Sequence, residues 1–170
     1  TMAAWIMALL LHLKPVDFIK MFMPVEMWIL LRLIASFCGV FGFSVMFNSP
    51  ARLATMAALI GAVANTLRLE LVDLAGMPPA VAAFIGALTA GIFASLIKNK
   101  AGYPRISLTV PSIVIMVPGL YLYRGIYNLG MMSLSVAASW FAAAILIIAA
   151  LPLGLIFARI LTDRTFRYCT

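Results

Sequence analysis

The chain has 170 residues, a net charge of +7, 65% apolar and only 10% charged residues, and a mean hydropathy of +1.14. Soluble domains run to about 45–50% apolar and about 25% charged, so this composition cannot make an aqueous surface and excludes a soluble enzyme or binding module. The charge suits cytoplasmic loops and anionic headgroups, and with no basic run interleaved with aromatics it does not indicate a nucleic-acid partner.

At about 20 residues per crossing, the length holds five or so segments: an all-α, polytopic protein of the lipid bilayer. Met2 to Leu13 is apolar but too short to span alone, and Lys14-Pro15 ends it. It reads as the tail of a helix beginning upstream, which would make the chain part of a longer protein; a trimmed chain would look the same. No basic stretch and small-residue cleavage site mark a signal peptide. His12, the only histidine, reads first as a headgroup-level residue at a helix end. Val16 to Glu26 mixes charges with Phe18, Met21 and Phe22, as an interfacial connector does. Residues 1–26 are thus set apart from a membrane domain over 27–170.

Met27 to Phe47 is the first full span. Arg32 is expected to snorkel to the interface, Gly39 and Gly42 to allow close helix contact, and Cys38 to be a small core residue. Cys38 and Cys169 are too far apart for a ligand set or a disulfide framework, and no metal or cofactor is implied. Asn48-Ser49-Pro50 is a tight break, with Asn or Ser as cap and Pro50 in the first turn. The second span runs from about Leu53 to Leu67. Asn65 and Arg68, three apart, share a face and could bind a carboxylate or form an end cap with Glu70. Leu71 to Pro79 reads as a loop. In the third span, Ala80 to Ile97, Gly86, Ala90 and Ala94 form a smooth ridge with Gly91 alongside. Lys98, Lys100 and Arg105 make the next loop the most basic and the best candidate for a cytoplasmic one.

The segment from about Ile106 to Asn128 is different. It is apolar, yet it contains Pro111, Pro118-Gly119 and, near its end, Arg124. Each proline removes an amide donor and clashes with the preceding turn. In hydrocarbon such breaks are tolerated only where they are buried in protein or line a wet cavity, and transporters build substrate sites from them. A last span runs from Met131 to about Phe157, followed by Arg159, Arg164 and Arg167. If the broken segment crosses fully, the basic loop and the C-terminal arginines share one side; if it is re-entrant, they oppose each other.

Three blocks now read together: Phe41 to Arg52, with Asn48-Ser49-Pro50-Ala51-Arg52; Ala58 to Arg68; and Val110-Pro111-Ser112 through Val117-Pro118-Gly119 to Tyr123-Arg124. Their order and spacing resemble the threonine/serine exporter family, specifically its smaller, C-terminal-type membrane domain, from roughly Phe37 onward. The resemblance implies a secondary exporter of small polar carboxylates, threonine and serine in some members and dicarboxylates such as succinate in others. It implies a multi-pass inner-membrane location and a larger partner membrane domain, fused upstream or separate. A homo-oligomer stays open. The polar positions carried over are Asn48, Pro50 and Arg52; Gly61 and Arg68; and Pro111, Pro118, Gly119 and Tyr123. Asn65 departs from the pattern, since relatives often have histidine there, so a proton relay through that position does not carry over.

The expected substrate contacts are therefore Asn48, Arg52, Asn65, Arg68, Pro111, Ser112, Pro118, Gly119, Tyr123 and Arg124. Half-helix ends offer N–H groups to a carboxylate and freed carbonyls to an ammonium, with Arg68 or Arg124 adding charge if turned inward. Arg124 and Tyr123 could equally lie at headgroup level. Proton motive force is the expected energy source, although no acidic residue lies mid-span. A non-transporting structural subunit is the main rival. A membrane-embedded enzyme is the poorest reading: there is no paired acidic motif, no Ser/His/Asp set and no phosphate-binding loop.

Overall fold

A computed structural model of the chain describes residues 2–12 and 24–163. Among the described residues there are seven helices and no strand: α1 (Met2–Leu10), α2 (Val25–Met46), α3 (Ala51–Asp73), α4 (Pro79–Ala101), α5 (Arg105–Val114), α6 (Gly119–Gly130) and α7 (Leu134–Thr162). Prolines set most of the starts. Pro24, Pro50, Pro104 and Pro118 each stand immediately before a helix, and Pro79 opens α4, positions where a missing N–H costs nothing. Pro50 is itself the N-cap of α3, and no side chain caps that end, so neither Asn48 nor Ser49 plays the predicted capping role.

Helices α2, α3, α4 and α7 are each long and apolar enough to cross a membrane, and α5 with α6 makes a fifth crossing bent by 41°. The packing settles the direction of that bent pair. Helices α4 and α7 run parallel: a Cβ on Gly154 would meet Ala87, one on Gly91 would meet Ala158, and the Thr162 hydroxyl bonds Ser95 at the same separation of 67 residues. The chain leaves α4 at one end of the bundle and must re-enter α7 at the other. Helices α5 and α6 make that return trip, so the segment crosses rather than doubling back. The end of α4, the start of α5 and the end of α7 therefore lie together, as the full-crossing alternative requires.

The interior is built from small residues. Most of the buried apolar side chains are alanines of α3, α4 and α7, whereas Leu30, Leu59, Leu96, Ile145, Leu146 and Leu161 point outward. This reverses the pattern of a soluble protein. Lipid is as apolar as leucine, so helices associate through close packing of small residues rather than by hiding large ones. The Gly86-Ala90-Ala94 ridge is buried as predicted.

Several details differ from the sequence reading. The loop predicted over Leu71 to Pro79 shrinks to 74–78, because α3 runs on to Asp73. There Arg32 of α2 bridges Glu70 at 2.8 Å and also Asp73, partners that the sequence reading did not assign to it. Cys38 is exposed, not core. Helix α2 faces inward through Ser36, Val40 and Ser44, four apart, which turns Cys38 to the opposite side. Gly39 does permit close approach, with Ile115 Cδ1 2.7 Å from where its Cβ would be, but Gly42 has nothing within 4 Å. The connector predicted before α2 lies largely outside the described residues, as do Arg164, Arg167 and Cys169.

Candidate functional site at the broken helix

Helix α5 runs through Pro111 and stops at Val114. Pro111 brings no N–H to the Ser107 carbonyl, the helical acceptor four residues back. One residue on, the buried Ser112 hydroxyl lies 2.9 Å from the Ala57 carbonyl oxygen and 2.6 Å from that of Leu108, tying α5 to α3. The approach depends on Gly61, where a Cβ would fall 2.6 Å from Val40 Cγ2 and 3.0 Å from the Ser112 carbonyl oxygen.

The break proper is 115–118. The Met116 and Val117 amides bond three residues back, to Ile113 and Val114, so the helix tightens before it ends. Pro118, at φ −78° and ψ 55°, then forms an inverse γ-turn closed by the Gly119 amide on the Val117 carbonyl at 2.8 Å. In an unbroken helix the Met116 carbonyl would accept from residue 120. Here Arg68 Nη1 donates to it at 2.9 Å. Helix α4 leaves room at Gly86, where a Cβ would meet Arg68 Cβ at 3.1 Å and Met116 Sδ at 3.3 Å.

One turn from Arg68, Asn65 Nδ2 donates to Ser36 Oγ at 2.9 Å. Asn65 Oδ1 and the neighbouring Thr66 Oγ1 have no partner among the described residues, although each residue is only 6% exposed. Beyond the break, α6 begins without a side-chain cap, and the space beside Gly119 is open. Further along α6, Arg124 lies 4.8 Å above the Trp140 ring, Tyr121 meets the same ring edge-on, and Tyr123 tilts against Tyr127. Toward the start of α5, a cleft of about 360 Å³ opens between Asn48, Ser49 and Pro50 on one side and Ser107, Val110 and Pro111 on the other. Among the described residues no group of three His, Cys, Asp or Glu could hold a metal ion.

A family model described as threonine/serine exporter, ThrE, matches residues 32–161, from α2 to the end of α7. The chain belongs to this exporter family. No curated protein and no solved structure matches it. The family and the apolar helices together make it a multi-pass membrane transport protein.

In this exporter nine of the ten residues expected to contact substrate fall in three places. Arg68, Pro118 and Gly119 are at the break, with Asn65 one turn before Arg68 on α3 and Ser112 one turn before Met116. Asn48 and Pro111 face each other across the cleft at the start of α5. Tyr123 and Arg124 belong to the aromatic group between α6 and α7. Arg52 is exposed on the first turn of α3 and does not line that cleft. The alternative pairing of Arg68 with Glu70 does not form, because Arg32 takes Glu70. Sequence reasoning missed Ser36 and the Met116 carbonyl. Ser36 carried a signal, a polar residue on the small-residue face of α2; a backbone oxygen carries none.

Proposed function

We propose that this exporter domain carries small polar amino acids, threonine and serine, out of the cell across the inner membrane, and that the α5–α6 break forms part of the binding site. The observation behind this reading is that Arg68, hydrogen-bonded to the Met116 carbonyl, stands one turn from the unpartnered Asn65 Oδ1. A zwitterion needs donors for its carboxylate and an acceptor for its ammonium. Arg68 has five N–H donors, and the uncapped start of α6 adds amides with partial positive charge. Asn65 Oδ1 supplies the acceptor. A buried acceptor without a partner is costly, and a bound ammonium removes that cost.

The domain works with a larger membrane domain that completes the pathway and supplies the proton coupling. Glu70 and Asp73 are engaged by Arg32, and the other described carboxylates, Glu26 and Asp163, stand at the start of α2 and just past the end of α7. The end holding Lys98, Lys100, Arg105 and Arg159 faces the cytoplasm, following the bias of short loops toward Lys and Arg inside. The cleft between Asn48 and Pro111 then opens on the side from which substrate arrives.

Uptake of labelled threonine, serine and succinate into inverted vesicles tests this. Threonine and serine transport that depends on the protein is the expected result; transport of succinate alone would reverse the assignment. Arg68→Ala and Asn65→Ala should each raise the apparent KM for threonine, and unchanged affinity in both would remove them from the site.

A further inference from the structure

Where α4 and α7 end and α5 begins, a crevice of about 550 Å³ lies between α5 and α7, apart from the break. Its two walls are built alike. On α5, Arg105 is the first residue, and Ile106, Thr109 and Val110 follow over the next turn and a half. On α7, Arg159 and Asp163 stand at the helix end, with Leu155 and Ile156 one turn deeper. At 1.5 Å per residue, the apolar residues reach about 6–8 Å below the charges. Because both walls belong to membrane-crossing segments, the charged mouth is at headgroup level and the apolar floor is in hydrocarbon. The crevice opens outward: Ile106 is 67% exposed and Ile156 46%.

The mouth carries excess positive charge. Among the described residues of its lining, Arg105 and Arg159 stand with one acid, Asp163, whose carboxylate is 4.0 Å from Arg159 Nε. Arg105 is held in place. Its Nη2 lies 3.3 Å from the Leu155 carbonyl oxygen, and a Cβ on Gly91 would fall 3.0 Å from that nitrogen. The guanidinium is therefore fixed to the wall by the packing of α4 against α7. The occupant this geometry fits has a long apolar chain below and a net negative head above. A zwitterionic choline headgroup would bring its own cation to the arginines, and inorganic phosphate would leave the apolar floor empty. We propose that the crevice is a binding site for an anionic phospholipid, with one acyl chain between Ile106, Val110 and Ile156 and the phosphate at Arg105 and Arg159.

The test is native mass spectrometry of the purified full chain in detergent, with phosphatidylglycerol and phosphatidylcholine added at equal concentration. The wild type should retain one phosphatidylglycerol about tenfold more than phosphatidylcholine. Arg105→Gln should lose the preference by removing the charge. Ile156→Trp should lose it by filling the crevice from an exposed position that does not disturb the core. Equal retention of the two lipids by the wild type would overturn the proposal, as would a preference that survives both variants. Displacement of phosphatidylglycerol by millimolar sodium phosphate would also overturn it, since the site would then read only an anion.

Discussion

Arg68 of α3 and the backbone carbonyl of Met116, 48 residues apart in sequence, are joined by a 2.9 Å hydrogen bond. This contact makes a broken crossing tolerable in a membrane. The break strips the Met116 carbonyl of its helical donor in a place where water is scarce, and the arginine replaces it. Arg68→Ala leaves a buried acceptor unpaired, at a cost of about 1–3 kcal/mol. Its melting temperature in detergent should drop below that of the wild type, and Arg68→Lys should recover part of the loss. An unchanged melt for Arg68→Ala would mean that the bond holds nothing.

Two glycines make a matched pair for packing. Gly61 lies where α2, α3 and α5 converge, and a methyl there collides with Val40 and the Ser112 backbone; Gly42 faces open space. Gly61→Ala should destabilise the domain by about 1–3 kcal/mol, the usual cost of overpacking, and loosen α5 from α3. Gly42→Ala should melt like the wild type or slightly higher, because alanine is the better helix former. Thermal unfolding of both variants checks the contrast.

The direction of the bent pair has its own test. With both native cysteines replaced by serine, single cysteines at Gly102 and Met132 should react with a membrane-impermeant thiol reagent from opposite sides. Labelling from the same side would mean that α5 and α6 form a re-entrant hairpin and that the parallel packing of α4 on α7 is wrong.

The helices were legible because hydropathy and proline placement act locally: an apolar run of sufficient length must be helical in lipid, and Pro50, Pro79, Pro104 and Pro118 mark starts by their own stereochemistry. The break was legible for the same reason, although Pro111 alone did not stop α5 and the chain turned only at Pro118. Partners across the bundle were not legible. Arg32 was expected at the interface because its side chain can reach it; its partners Glu70 and Asp73 arrive opposite it only once α2 and α3 pair. Cys38 was misplaced because it was read by its own size and apolarity, whereas the inward face of α2 is the one carrying Ser36 and Ser44. Arg68 was singled out as a charge inside the membrane, yet its acceptor is a peptide oxygen that no side-chain pattern announces.

The central claim is that the interruption at Pro118-Gly119 serves transport. Replacing both residues by alanine restores the N–H missing at 118 and favours a continuous helix. The space around Gly119 accepts the added methyl. Threonine transport in vesicles, compared at equal amounts of inserted protein, is the most direct measurement. The account predicts a fall of about tenfold or more, equivalent to at least ~1.4 kcal/mol. Transport at the wild-type rate by a properly inserted Pro118→Ala/Gly119→Ala protein would contradict it.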